Sequence, residues 1–345
     1  MADRLIDARL SRRTLIHGAG ALAGAAALGG SLRPAHAGTM TWYSASGAKN
    51  DQDWVNMFNK KTGDTAEFFR IGGVKLTQRI EQEIKANQVK ASAMDMSIPG
   101  LMNEWVKKGW VLKYDSLESH HYPKDLRSEG YWTPVNVLTV AIAYNADQIK
   151  PEEAPKTWED LLNPKWKDKM VASDAASSGA ILHSFSALQK AFGKSYMEKL
   201  AKQNVLVKIG SGATLQTVIS GERPISALIL DYYVAGAIAK GANLAIVQPD
   251  AGIPASLEII AIPAAAPSPD VGKKFVDFAL SKEAQDNWQQ KHGTLSLRDD
   301  VAPVKLARGR KAMKDIKLLK SGIPDLEDSY HNQRQLLAEW SNLFK

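Results

Sequence analysis

Two long β-rich runs, residues 135–144 (VNVLTVAIAY) and 257–263 (LEIIAIP), constrain this chain more than any other feature. Each interrupts a region where strand and helix signals alternate, and each is long enough to pass from one sheet into another. Before the first run, a strand signal at 40–43 leads into a small polar loop at 44–48. A helix follows with Trp54, Met57 and Phe58 on one face and a stop at Thr62-Gly63. Next come a strand at 66–69, the Gly72-Gly73 turn, a helix carrying Leu76, Ile80 and Ile84, and a buried strand at 93–97 closed by Pro99-Gly100. Such alternation is βαβ wiring, which favours a largely parallel sheet.

Between the two runs lies a second set, with strands at 170–174, 205–208, 225–230 and 244–247 and a helix from about Gly179. A helix bearing Phe275, Phe278 and Trp288 runs from Asp270 to about Lys291, and a charged helical tail is expected from Lys311. The nine tryptophans sit mostly at core spacings. The expectation is an α/β protein of two lobes, each a mixed, mostly parallel sheet flanked by helices, with one ligand cleft between them. Residues 38–138 and 264–310 are assigned to the first lobe, 139–263 to the second, and 311–345 to the C-terminal helical tail.

Residues 1–37 have the layout of an export signal. The segment SRRTLI is followed by a mild Ala- and Gly-rich apolar run and an A-x-A site at Ala35-His36-Ala37. The adjacent Arg12 and Arg13 resemble a twin-arginine signal, so the expectation is a cleavable leader, twin-arginine export machinery and a periplasmic, soluble product. The run is too short and too rich in glycine for a membrane anchor. Within it Gly18-Ala-Gly20-Ala-Leu-Ala23 matches a dinucleotide fingerprint, but no strand precedes it.

Net charge is +7, yet this leader holds five arginines and two aspartates, and the rest of the chain carries only +4. No basic block with interleaved aromatics exists, so nucleic acid is not an expected partner. The chain has no cysteine, which excludes disulfides, thiolate metal sites and a thiol nucleophile, and leaves any metal to oxygen or nitrogen ligands.

Several stretches carry a family resemblance: WYSASGAKNDQDWVNMFNKKTG, VAIAYNADQI, TWEDLLNPKWKDKMV, GSGATLQTVISGERPISALILDYYVAG and FVDFALSKEAQDNWQQKHGTLSLRDDV. Across nearly all of residues 38–310 the chain resembles the periplasmic substrate-binding proteins of ATP-binding-cassette importers, in particular the ferric-ion-binding type and its organic-anion relatives. The resemblance implies the type II periplasmic-binding-protein fold, a small solute bound between lobes, and delivery to permease subunits in the membrane.

Ser177-Ser178-Gly179 opens a helix, where free N–H groups favour an anion, and the matching turn of ferric-binding relatives holds a synergistic phosphate or carbonate. A plain helix cap is the alternative. Ser211 and Thr214 form a second turn of this kind. Ser44, Ser46 and Gly47 on the first loop, and Ser97 after the third strand, are further candidates. The resemblance makes Tyr232 and Tyr233 phenolate donors to ferric iron, with Tyr144 as a third. Adjacent residues of a strand face opposite ways, however, so both rings reach one ion only if the strand has ended.

The chain departs from the iron pattern. Gly47 or Ala48 stands where those relatives have a histidine, Ser97-Ile-Pro-Gly100 where they have a glutamate, and Asp231-Tyr232 matches the organic-anion carriers. A carboxylate, phosphonate or phosphorylated metabolite is therefore the leading solute, and Fe3+ as transported cargo the alternative. No cofactor and no enzymatic activity are expected. A periplasmic hydrolase is the competing class; His183 lies six residues from Ser177, but there is no G-x-S-x-G elbow, no H-E-x-x-H and no phosphate-binding G-x-x-x-x-G-K-[ST]. His120-His121 lies in a surface-like stretch.

Overall fold

The computed structural model describes residues 37–302, 306–319 and 322–345, so the expected leader lies outside the described residues apart from Ala37. The chain opens with β1 (Thr39–Ser44), α1 (Ala48–Thr62), β2 (Thr65–Arg70), α2 (Gly73–Lys85), β3 (Ala93–Met96) and α3 (Pro99–Lys107), in the order the hydrophobic periods predict. Helix α1 stops where Gly63 turns left-handed at φ 74°, its N–H closing on the Asn59 carbonyl. β4 (Trp132–Asn145) is buried along its whole length. Then come β5 (Met170–Ser173), α4 (Gly179–Phe192), α5 (Lys194–Ala201), β6 (Leu206–Lys208), α6 (Gly210–Ile219), β7 (Ile225–Leu230), α7 (Asp231–Ile238) and β8 (Leu244–Val247). β9 (Ile253–Ala261), α8 (Pro269–Leu280), α9 (Lys282–His292), β10 (Leu318–Leu319), α10 (Ile323–His331) and α11 (Gln333–Phe344) complete the chain.

The strands run β2-β1-β3-β9-β4-β7-β5-β6, with β8 also on β4 and β10 on β9. β4 carries the chain from one sheet section into the other. From Trp132 to Thr139 it pairs with β9, and from Val140 onward with β7 and β8. The second β-rich run behaves differently. β9 hydrogen-bonds to β3 and to the first half of β4, while its first residue, Ile253, packs in the core cluster of Trp158, Phe185 and Trp340 and α4 lies against the strand, so it touches both sections. Its Leu257, Ile259 and Ala261 pack in one core cluster with Met94, Met96 and Trp105, which fixes that register. The flanks β2-β1-β3 and β7-β5-β6 are parallel, while every pair made by β4 with its neighbours is antiparallel.

Two further expectations change. The helix from Asp270 breaks into α8 and α9 at Ser281, whose hydroxyl donates to the Phe278 carbonyl (2.6 Å) and accepts from the Ala284 N–H (3.4 Å). The tail is not helical from Lys311. Its backbone is tied elsewhere, the Lys311 N–H donating to the Gln248 side-chain Oε1 (2.7 Å) and the Lys317 carbonyl accepting from the Ile253 N–H (2.9 Å); helix starts at Ile323, with Pro324 in its first turn. Beyond it, α10 packs on α3 and α4, and α11 on α4 and α5.

Every tryptophan except Trp110 is buried. Trp42, Trp54, Phe58, Phe275 and Trp288 form the aromatic centre of the first section. Trp158, Phe185, Tyr196 and Trp340 do the same in the second. Among the described residues no helix is long and apolar enough to cross a membrane.

Candidate functional site

The tyrosine pair lies where β7 has ended. Leu230 keeps extended dihedrals and caps α7, which begins at Asp231, so Tyr232 and Tyr233 project from a helical first turn instead of opposite faces of a strand. Their ring centroids are 4.6 Å apart. Burial, then the neighbouring Tyr233, Glu258 and Asp51, pushes the Tyr232 hydroxyl well above its ordinary value, so it is held protonated. Asp231, the residue before the pair, is no candidate ligand. Its two oxygens accept from Arg310 Nη2 (2.9 Å) and Nε (3.1 Å), and Gln248 Nε2 adds a third bond (3.0 Å).

Both tyrosines line a cavity of about 450 Å³ between α1 of the first section and α6 and α7 of the second, a size suited to a small solute. Lys49, Asn50 and Lys240 share the lining, and no carboxylate does. Helix α1 opens on this space at Gly47, which provides no side-chain cap, so the first N–H groups of the helix face it without an intrahelical partner. Asn50 is 6% exposed, and its amide nitrogen has no hydrogen-bond partner among the described residues. His292 closes one side, bonded to Asp53 (2.7 Å); burial holds its imidazole below the ordinary value against the pull of that carboxylate.

Behind the lining lies a group of acids that sequence reasoning missed. Asp51 on α1, Asp95 on β3 and Glu258 on β9 are all buried. Asp95 accepts from the Ala45 N–H (2.9 Å), which ties down the first loop, and Glu258 accepts from the Asn136 amide. Neither oxygen of Asp51 has a hydrogen bond of good geometry, and the nearby Ser44 hydroxyl and Arg70 offset its burial only in part. Burial, with the Asp95 charge next, raises Asp51 and Glu258 well above the usual carboxylate range, and burial brings Asp95 up to about 7. The signal was present: an acid within the apolar runs Met94-Asp95-Met96 and Leu257-Glu258-Ile259 must be buried with its strand.

Of the residues singled out from sequence, Gly47, Tyr232 and Tyr233 come together on the cavity. Ser44 and Ser46 are buried beside them, the Ser44 hydroxyl accepting from the Ser46 N–H (2.9 Å). Ser177 donates its hydroxyl to the Asp174 carbonyl (2.7 Å), and Ser178 makes no side-chain cap on α4. Gly179 packs directly on Ser97 and Ile98. Ser211 and Thr214 are turned inward, each bonded to the Ser173 hydroxyl (3.1 and 3.0 Å), and tie α6 to β5. Tyr144 does not join the pair. It stands opposite Ile225, while Leu230, next to α7, stands opposite Val140. Four residues of strand separate those positions, about 13 Å at the usual rise. His183 holds Ser329 (2.9 Å) in a buried contact away from the cavity lining.

The family model for bacterial extracellular solute-binding proteins matches residues 89–311, more than half of the chain. A Salmonella typhimurium protein described as a 2-aminoethylphosphonate-binding periplasmic protein is 27% identical over 281 residues, 76% of this chain and 80% of that one. A Sinorhizobium fredii protein described as an ABC-transporter periplasmic-binding protein is 23% identical over 285 residues, 80% of this chain and 77% of that one. Among solved structures, the periplasmic binding protein AfuA from Actinobacillus pleuropneumoniae, with fructose 6-phosphate bound, superposes with a TM-score of 0.77 at 21% identity, over 89% of this chain and 98% of that one. That likeness is one of fold.

Proposed function

Because the chain belongs to the bacterial extracellular solute-binding protein family, we propose that it is the periplasmic capture subunit of an ATP-binding-cassette importer and that its solute is a small phosphonate or phosphate ester. The observation that carries this reading is the lining of the cavity: Lys49, Lys240 and Asn50 contribute to it, and no carboxylate does. A relative described as 2-aminoethylphosphonate-binding and a structural neighbour holding a sugar phosphate support the same choice. The leader over 1–37, with Arg12 and Arg13, delivers the folded chain across the inner membrane.

The mechanism is closure. A solute touching α1 on one side and α6–α7 on the other lowers the free energy of the closed arrangement relative to an open one, and the permease subunits bind the closed form. β4, continuous through both sections, is the element about which they turn. No step makes or breaks a covalent bond.

The test is a thermal-shift panel of 2-aminoethylphosphonate, fructose 6-phosphate, inorganic phosphate, simple carboxylates and ferric citrate. A ligand at a hundred times its Kd stabilises by about 2.7 kcal/mol, a rise in Tm of roughly 5–10 °C. Response to carboxylates alone overturns the reading. Ferric iron is the second reading, favoured by the side-by-side Tyr232 and Tyr233. It requires a visible tyrosinate–iron band that is lost in Tyr232→Phe and survives in Tyr144→Phe.

A further inference from the structure

Resting on the proposed phosphonate or phosphate-ester solute, we infer that its oxyanion is seated at the N-terminus of α1, on the Asn50 amide and the free N–H groups of Ala48 and Lys49. The Ser177–Gly179 turn of α4, to which the family resemblance points, does not hold it. Three independent features of the molecule lead to this assignment.

The first is Asn50. It sits in the first turn of α1, is 6% exposed, lines the cavity, and leaves its Nδ2 donor without a partner among the described residues. A buried donor of this kind is unfavourable unless something fills it, and here it stands beside backbone N–H groups that also lack intrahelical acceptors. All these donors serve an acceptor with several oxygens. The next residue, Asp51, is absent from the lining, so α1 offers donors outward and keeps its acid within.

The second is Gly47. Its φ of −88° is ordinary for any residue, so backbone conformation does not demand glycine. A Cβ there would stand 3.5 Å from the Tyr233 hydroxyl and 3.6 Å from Asn50 Cγ, ordinary contact distances. A methyl group would therefore fit the protein and occupy the space between the Asn50 amide and Tyr233, where the oxyanion sits. What glycine leaves open at this position is that seat.

The third is the state of α4. A Cβ on Gly179 would lie 2.7 Å from Ile98 Cγ1 and 2.9 Å from the Ser97 carbonyl, so this side of the turn is taken up by packing against the other section, and the Ser177 hydroxyl is already donated to the Asp174 carbonyl. Lys49 and Lys240 give the α1 seat positive charge on both sides of the cavity.

Calorimetric titration of the purified protein with 2-aminoethylphosphonate, fructose 6-phosphate and inorganic phosphate tests the assignment. Asn50→Asp keeps the shape but puts another carboxyl into a buried position next to Asp51, so a lower unliganded Tm is expected and binding is titrated well below the onset of unfolding. Binding by this variant is expected to fall at least about 100-fold, by Asn50→Ala roughly 10- to 100-fold, and by Ser178→Ala less than about threefold. Gly47→Ala keeps its Tm and loses affinity. Wild-type binding that survives in Asn50→Asp, or that falls tenfold or more in Ser178→Ala, overturns the assignment. If the wild type binds none of the three probes, the phosphonate or phosphate reading fails first and the seat fails with it.

Discussion

Arg310 grips Asp231 through two parallel bonds, Nη2 to Oδ1 at 2.9 Å and Nε to Oδ2 at 3.1 Å, in a pair whose side chains are each 1% exposed. The same guanidinium also reaches the Gly293 carbonyl at the end of α9. Asp231 is the first residue of α7, so this clamp sets where the helix begins and how Tyr232 and Tyr233 enter the cavity. A residue far along the chain thus positions a pair adjacent in sequence, through a fork geometry that lysine cannot copy.

Breaking that clamp is expected to be costly. Arg310→Met leaves the Asp231 carboxylate buried with only Gln248 for company, and removing one partner of such a pair destabilises by about 3–5 kcal/mol. Urea unfolding measures it. A loss under about 1 kcal/mol would show that Asp231 has another route to neutralisation.

Stability should fall as pH rises through neutrality. Asp51, Asp95 and Glu258 bind protons more tightly folded than unfolded, where carboxyls titrate near ~4. Their favourable contribution is complete below that value and is lost as pH climbs through the folded values, about 7 for Asp95. Denaturation midpoints between acid and alkaline conditions should decline, and Glu258→Gln should flatten the decline. A midpoint that climbs with pH over this range would falsify the account.

Ser211 and Thr214 are expected to matter for stability and not for the solute. Each bonds the buried Ser173 hydroxyl, so Thr214→Val should cost about 1 kcal/mol and leave solute affinity within roughly twofold. Affinity lost without any change in Tm would return these residues to the site.

The C-terminal helix should be integral to the second section. Trp340 is fully buried, packs on Phe185 at 5.4 Å and Phe344 at 4.4 Å, and donates its indole N–H to Asp174 at 3.0 Å. Trp340→Ala should cost about 3–5 kcal/mol, measured by denaturant unfolding. A variant as stable as the wild type would mean that α11 docks weakly.

The sequence by itself determined the α/β order, the first crossing strand, the tyrosine pair and the small polar turns, because periodicity and turn chemistry act over a few residues. It also pointed to Gly47, Tyr232 and Tyr233, which the cavity brings together. Only the tertiary structure decided the rest. The pairing of β9 with β3 depended on the apolar partners of its side chains, far away in the chain. Ser211 and Thr214 looked like ligand groups until their hydroxyls were found spent on Ser173. Tyr144 was excluded by the register of β4 on β7. Asn50 and the acids at 51, 95 and 258 acquired meaning from burial, and burial is a property of the packed chain: a donor without a partner, or a carboxyl without water, exists only once distant segments have closed around it.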